Sequence, residues 1–255
     1  VKHAVCRPAF WLRARRVEGV SDNLTAIAHD LAPTGTLRAS INLGNPVLAQ
    51  GTAASPSGIT VDLAREIATQ LGLPLDLLCF EAARKSFEAM TAGAADLCFL
   101  AIDPAREKSV AFSAPYVAIE GVFAVPATSP ISSVADVDRD GVRIGVKQGS
   151  AYDLFLTRTF EHATIVRGVD GVDVFAAEGL EVAAGIRQPV TAYVEAHHDL
   201  RLVDEPFMQI LQAVGTTRTR SAATVAFLIG MIDELKSNGF VAAALERSGQ
   251  VATIP

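Results

Sequence analysis

At 255 residues the chain is long enough for one large or two small domains, and half of its residues are hydrophobic against a fifth charged, the balance of a globular protein with a sizeable core. A formal net charge of -6 leaves no basic stripe to neutralise phosphates and argues against a nucleic-acid partner. No apolar run approaches the roughly 18 residues of a membrane span; the longest, Ala222 to Ile232, reads as a core helix.

The segment from Val1 to about Gly19 is basic, with Lys2, Arg7, Arg13, Arg15 and Arg16. Its longest apolar stretch, Ala9 to Leu12, is shorter than the about 7–15 residues of a signal-peptide core, so the segment reads as a disordered or loosely packed extension. With no signal peptide visible, a cytoplasmic location stays open beside export. Asp22 to Leu31 reads as a short helix ended by Pro33 and Gly35. Leu37, Ala39 and Ile41 alternate with Arg38 and Ser40, the period of a strand, which runs into the polar loop Asn42 to Pro46. Ala53 to Gly58 reads as a hairpin or loop. From Thr60 to Leu71 the residues Val61, Ala64, Ile67, Ala68 and Leu71 share one helical face, opposite Arg65, Glu66 and Gln70.

A strand is predicted over Pro74 to Phe80, a helix over Ser86 to Ala92, and a fully apolar strand over Leu97 to Ala101. The βα pattern then restarts. Gly121 to Val125 is extended, Pro126 to Ser133 a linker, Val142 to Val146 a strand and Ser150 to Phe160 a helix; Ala163 to Val166 and Val172 to Glu178 follow as strand and helix. Val182 to Ile186, Pro189 to Glu195 and Leu200 to Val203 continue the alternation, and a helix from Ser221 to Asn238 stops at Gly239, a good residue to follow a helix C-terminus. Strands alternating with helices predict an α/β class with mainly parallel sheets, and two series of about 90 residues suggest two lobes.

Cys6, Cys79 and Cys98 are odd in number and widely spaced, neither a disulfide framework nor a metal pattern. His197, His198 and Asp199 read as a solvated loop, because sequence neighbours rarely converge on one ion. The informative stretch is Ala94 to Tyr116. An apolar strand ends there in a turn carrying Arg106, and turn N–H groups with a guanidinium can clamp a carboxylate. An ordinary strand end with a solvated arginine has the same pattern.

The order of landmarks adds specificity: Gly58 to Ala64 opening a helix, Ala92 to Asp96 leading into a strand, the Pro104–Arg106 turn, Phe112 to Tyr116, Gly145 to Ser150, and Lys236 to Phe240. Together, from about Leu37 to Gly249, they resemble family 3 of the bacterial extracellular solute-binding proteins, receptors of polar amino-acid ABC importers. The resemblance implies a type II periplasmic-binding-protein-like fold with a ligand cleft between lobes. Its expected divisions are residues 1–34 as extension and short helix, 35–121 with 216–255 as lobe 1, and 122–215 as lobe 2. Crossings are expected near Glu120 to Val125 and Gln212 to Gly215. It also implies a monomer without cofactor or enzymatic activity, located in the periplasm or outside the cell, with an ABC permease as partner and a small carboxylate-bearing molecule as ligand.

By the same resemblance, Arg106 stands where the family clamps the ligand's α-carboxylate, and Gly149 and Ser150 match the turn that donates hydrogen bonds to that group; Ser150 also suits a helix N-cap. Departures from the family pattern carry information. Arg187 stands where an acidic residue usually meets the ligand's α-ammonium; Asn42 replaces another acid, Asn45 and Ala83 replace aromatics, and Phe99 and Ala101 replace small or hydroxyl residues. The expected ligand, in preference to an amino acid, is therefore a small carboxylate or dicarboxylate-like molecule lacking an α-ammonium, held between Arg106 and Arg187. Phe99 and Tyr152 would supply contact area, and Asn42, Asn45 and Gln188 directional hydrogen bonds. The alternative for Arg187 is a pair with a neighbouring carboxylate such as Glu181, away from the ligand. A second function, a cyclohexadienyl or arogenate dehydratase on the same fold, would need Glu81 or Asp103 as general acid; a third is a soluble sensory or scavenging module. Asp62, Asp96, Phe112, Ser113 and Tyr116 read as structural.

Overall fold

A computed structural model describes residues 23–255. The basic segment and Cys6 lie outside the described residues. A helix at residues 23–31 (α1) precedes β1 (Leu37–Asn42), the hairpin β2 (Gln50–Thr52) and β3 (Ser55–Ser57), α2 (Ile59–Leu71), β4 (Leu75–Phe80), α3 (Ala83–Thr91), β5 (Leu97–Ala101) and α4 (Pro104–Glu107). The long β6 (Val110–Pro126) leads to β7 (Arg143–Lys147), α5 (Ala151–Thr159), β8 (Thr164–Gly168), α6 (Gly171–Glu178), β9 (Val182–Ile186) and α7 (Arg187–Ala196). A second long strand, β10 (Leu200–Thr217), is followed by α8 (Ala222–Ser237) and α9 (Phe240–Arg247).

Eight strands are ordered β4-β1-β5-β10-β6-β9-β7-β8. One lobe carries the parallel group β4-β1-β5 and the other the parallel group β9-β7-β8. The antiparallel pair β6 and β10 runs between them. At one end β10 pairs with β5 through Gln212 to Gly215; at the other β6 pairs with β9 through Gly121 to Ala124.

Two-sided burial explains the apolar runs. Along β5, Leu97, Phe99 and Ala101 enter the main core, whereas Cys98 and Leu100 pack with Met90 and Val110 behind it. That split is the period of two of a strand covered on both faces. Burial pushes the Cys98 thiol up to about 12, which keeps it a small neutral hydrophobe. In the other lobe Val122, Ala124, Phe175, Leu180, Ala183 and Val190 form a separate cluster.

The chain from Phe112 to Tyr116 is extended. It belongs to β6, and the register shift between Gln212 and Ala213 leaves Tyr116 without an opposite residue. A bulge is where a strand tolerates the missing N–H of Pro115. Tyr116 is wholly buried edge-on to Phe99, ring centroids 6.5 Å apart. Pro189 to Glu195 lies in α7, whose first turn accommodates a proline lacking a donor. The C-terminal helices return to the first lobe: α9 packs on α2, tied by Arg247 to Asp62 at 2.8 Å. Asp30 of α1 accepts from Ser221 N at 2.9 Å at the start of α8.

Candidate functional site

A cavity of about 50 Å³ lies where the C-terminal ends of β1, β5, β7 and β9 meet the long strand β10. It is lined by Asn42, Gly44, Asn45, Leu100, Ala101, Arg106, Lys147, Gln148, Ser150, Tyr152, Ile186, Ile210 and Gln212, with Ala83 and Ala151. Strand ends place such a cleft because loops and helix N-termini converge there.

Arg106 owes its position to α4, a helix of one turn that follows β5. Asp103 caps it, accepting from Ala105 N at 2.8 Å, with Pro104 beginning the turn. The guanidinium is buried, 3% exposed, and donates to the carbonyls of Ala101 and Gly149, each at 3.1 Å. Burial pulls its pKa below the usual arginine range, with Asp103 opposing. No carboxylate forms an ion pair with it among the described residues. A buried cation held only by carbonyls is poised for an anion.

The opposite wall is the turn between β7 and α5. Ser150 caps α5 by accepting from Asp153 N at 3.0 Å, and Asp153 reaches back to Gly149 N at 2.8 Å. Arg167 holds Asp153 at 3.0 Å, so this carboxylate is spent on bracing the turn. Gly149 therefore enters the site through its carbonyl, bound to Arg106, while its N–H is engaged by Asp153. The first N–H groups of α5, at Ala151 and Tyr152, lie at the cavity wall and suit an anion.

Two glycines let the lobes meet. A Cβ at Gly44 would collide with the Glu81 carbonyl and lie 2.8 Å from Lys147 Nζ. Gly149 has φ of +70°, and its Cβ would lie 2.8 Å from Arg84 Cβ on α3 across the cleft. Besides Arg106 to Gly149, the lobes are joined by Arg158 of α5 to Asp103 at 3.0 Å. Gly149→Ala should therefore cost about 1 kcal/mol in fold stability yet weaken ligand binding by more than that amount implies, because the clash belongs to the closed lobes. Equal free-energy losses in folding, from melting curves, and in binding, from calorimetry, would refute this.

The cavity brings together Arg106, Ser150, Asn42, Asn45, Ala101 and Tyr152, with Gly149 at its edge. It does not bring in Phe99, Arg187 or Gln188. Phe99 points into the core against Tyr116. Gln188 Nε2 donates to the Val251 carbonyl at 2.8 Å.

Arg187 pairs with Glu120 and donates to the Asp204 carbonyl at 2.9 Å; Glu181 is taken by Arg143 at 2.9 Å. Glu120 lies opposite Gln209 in the ladder, and Ile210 and Gln212 line the cavity, so the period of two puts Glu120 and its arginine on the far face. The second cation of the cavity is Lys147, in the motif Gly145 to Ser150. Gln212 is the other unanticipated polar residue; a lone amide within Ile210-Leu211-Gln212-Ala213-Val214 is the signal that could have found it. Asp103 is buried in its cap and its ion pair, and Glu81 is held by Lys85; neither lines the cavity.

The sequence matches the model of the bacterial extracellular solute-binding proteins, family 3, over residues 42–250. The chain belongs to this family. Among solved structures it is similar to the P235GK mutant of ArgBP from T. maritima, at TM-score 0.71 and 20% identity over 87% of this chain and 98% of that one. A solute receptor for L-cysteine of Neisseria gonorrhoeae matches at TM-score 0.71 and 20% identity, over 88% and 93% of the two chains. An ancestral amino-acid-binding protein, described as a precursor of cyclohexadienyl dehydratase, matches at TM-score 0.67 and 20% identity over 85% and 96%. At these identities the likeness carries the two-lobed fold. A search of curated proteins finds no match. No helix among the described residues is long and apolar enough to cross a membrane.

Proposed function

We propose that this family member is the receptor of an ABC importer and closes its lobes over a small carboxylate that lacks an α-ammonium. One observation carries the reading: among the described residues the cavity wall holds two cations, Arg106 and Lys147, and no Asp or Glu. A carboxylate entering between them gains charge-assisted hydrogen bonds from Arg106 and the α5 N-terminus. An α-ammonium in the same space would meet two like charges without a counterion, a cost of several kcal/mol in a poorly solvated cleft, by about 4 kcal/mol for each pair at 4 Å. Asn42, Asn45 and Gln212 add directional amides.

Hinge motion would run through β6 near Gly121 and through β10 between Val203 and Met208, where the register is broken. The family description supports an extracellular or periplasmic place and permease partners. The binding function is favoured over a dehydratase because, among the described residues, no carboxylate or histidine lines the cavity beside Arg106 to act as general acid. Incubation with prephenate or arogenate should yield no aromatic product.

The test is a thermal-shift and calorimetric comparison of monocarboxylates, keto acids and α-amino acids. Carboxylates without an ammonium should bind, and Lys147→Met should weaken them roughly 10–100-fold. Arg187→Ala should leave their affinity within about twofold, its charge being neutralised by Glu120 on the far face. Tighter binding of ordinary α-amino acids than of their deaminated counterparts would overturn the reading.

A further inference from the structure

The cavity beside Arg106 is too small for most solutes. At about 50 Å³ it holds roughly three to five waters at ~10–15 Å³ each, enough for a carboxylate and a few attached atoms. A second chamber of about 180 Å³ adjoins it, sharing Gly44, Lys147, Tyr152 and Ile186 as common wall. Beyond that wall it is bounded by Val172, Pro189 and Val190 and by one carboxylate, Asp170.

Charge is thus graded along the cleft. Arg106 lies only in the first cavity, Lys147 at the junction, and Asp170 only in the second chamber. Asp170 Oδ1 accepts from Val172 N at 3.0 Å as the cap of α6. Its other oxygen accepts no protein hydrogen bond among the described residues, and Asp170 forms no ion pair there. Its charge also occupies the α6 N-terminus, which would otherwise attract a second anion.

We propose that the second chamber takes the far end of the ligand, and that this end is a short hydrocarbon chain finishing in a hydrogen-bond donor, a hydroxyl or an ammonium, directed at Asp170. The inference rests on the carboxylate reading of the first cavity and specifies its substrate class: a carboxylate whose donor is remote from the α-carbon. The apolar walls take the chain, and the same carboxylate disfavours a dicarboxylate.

Calorimetric titration of the full chain with butanoate, 4-hydroxybutanoate, 4-aminobutanoate and glutarate tests this, since all four present the same carboxylate end. At least one of the two donor-bearing ligands should bind tenfold or more tightly than butanoate, and glutarate more weakly than that ligand. In Asp170→Asn, which keeps a competent helix cap, the gain should disappear for the ammonium and shrink for the hydroxyl, with butanoate unchanged within about twofold. An unchanged melting temperature of the unliganded variant confirms the cap. Binding of butanoate with no gain from either donor, or a gain that Asp170→Asn leaves intact, would overturn the chamber assignment alone. Failure of all four to bind would overturn the carboxylate reading and the chamber with it. The two failures are therefore distinguishable.

Discussion

Replacing Arg106 with methionine should lower carboxylate affinity by at least about 100-fold while leaving the unliganded protein as stable as before, or more so. The opposite signs follow from one fact: the guanidinium is almost entirely buried with two carbonyl acceptors and, among the described residues, no carboxylate in an ion pair with it. Without ligand, the charge has been stripped of water and given two neutral oxygens and only a through-space attraction to Asp103 in return, and burial depresses its pKa despite that attraction. Methionine fills similar volume without that cost. With ligand bound, the same charge faces an anion in a poorly solvated cleft, and truncating one partner of such a pair costs about 2–5 kcal/mol. Melting curves with and without a saturating monocarboxylate measure both effects. A variant that melts several degrees lower without ligand would make Arg106 a structural residue; retained binding would remove it from the site.

The second large effect is expected far from the cleft. Asp96 is wholly buried, just before β5, and accepts from Arg38 N at 3.0 Å, Nε at 2.9 Å and Nη2 at 2.8 Å, and from Arg220 Nη2 at 3.2 Å. Its own carbonyl accepts from Thr216 at 2.9 Å. One residue thus ties β1, the strand that follows it and the end of β10. Asp96→Ala leaves two arginines in partly buried positions without their acceptor, for which about 3–5 kcal/mol is expected, or roughly 10 °C in melting temperature for a chain of this size. Asp62→Ala is the contrast. Its pairs with Arg247 and Arg65 are largely exposed, and their loss should cost no more than about 1 kcal/mol. Equal losses from the two variants would show that the buried network contributes nothing special.

The interlobe contacts give the cleft its economy. Arg106 joins Gly149, and Asp103 joins Arg158, so two neighbouring residues on the first lobe meet the second lobe through one turn and one helix. Ligand affinity and lobe closure therefore draw on the same residues. Substitutions at this turn should move both together, whereas Asp96 and its arginines should affect stability alone.

Much of the fold is legible in the sequence because it depends on local patterns. The alternation at Leu37 to Ile41, the amphipathic stripe of α2, the serine caps at Ser150 and Ser221 and the helix stop at Gly239 are each dictated by neighbours a few residues away. Arg106 could likewise be placed, since a polar turn directly after a buried strand has only the strand's end to occupy. What the sequence does not determine is which way a side chain faces once two distant segments pair. Arg187 sits at the start of α7, beside cavity-lining Ile186, yet its charge is drawn to Glu120, and the register of β6 against β10 puts that carboxylate on the opposite face. The same register turns Gln212 into the cavity. Phe99 is taken by the core because Tyr116, held in a bulge, supplies a ring for it to pack on. Strand periodicity gives two faces, and only long-range pairing decides which face meets the ligand.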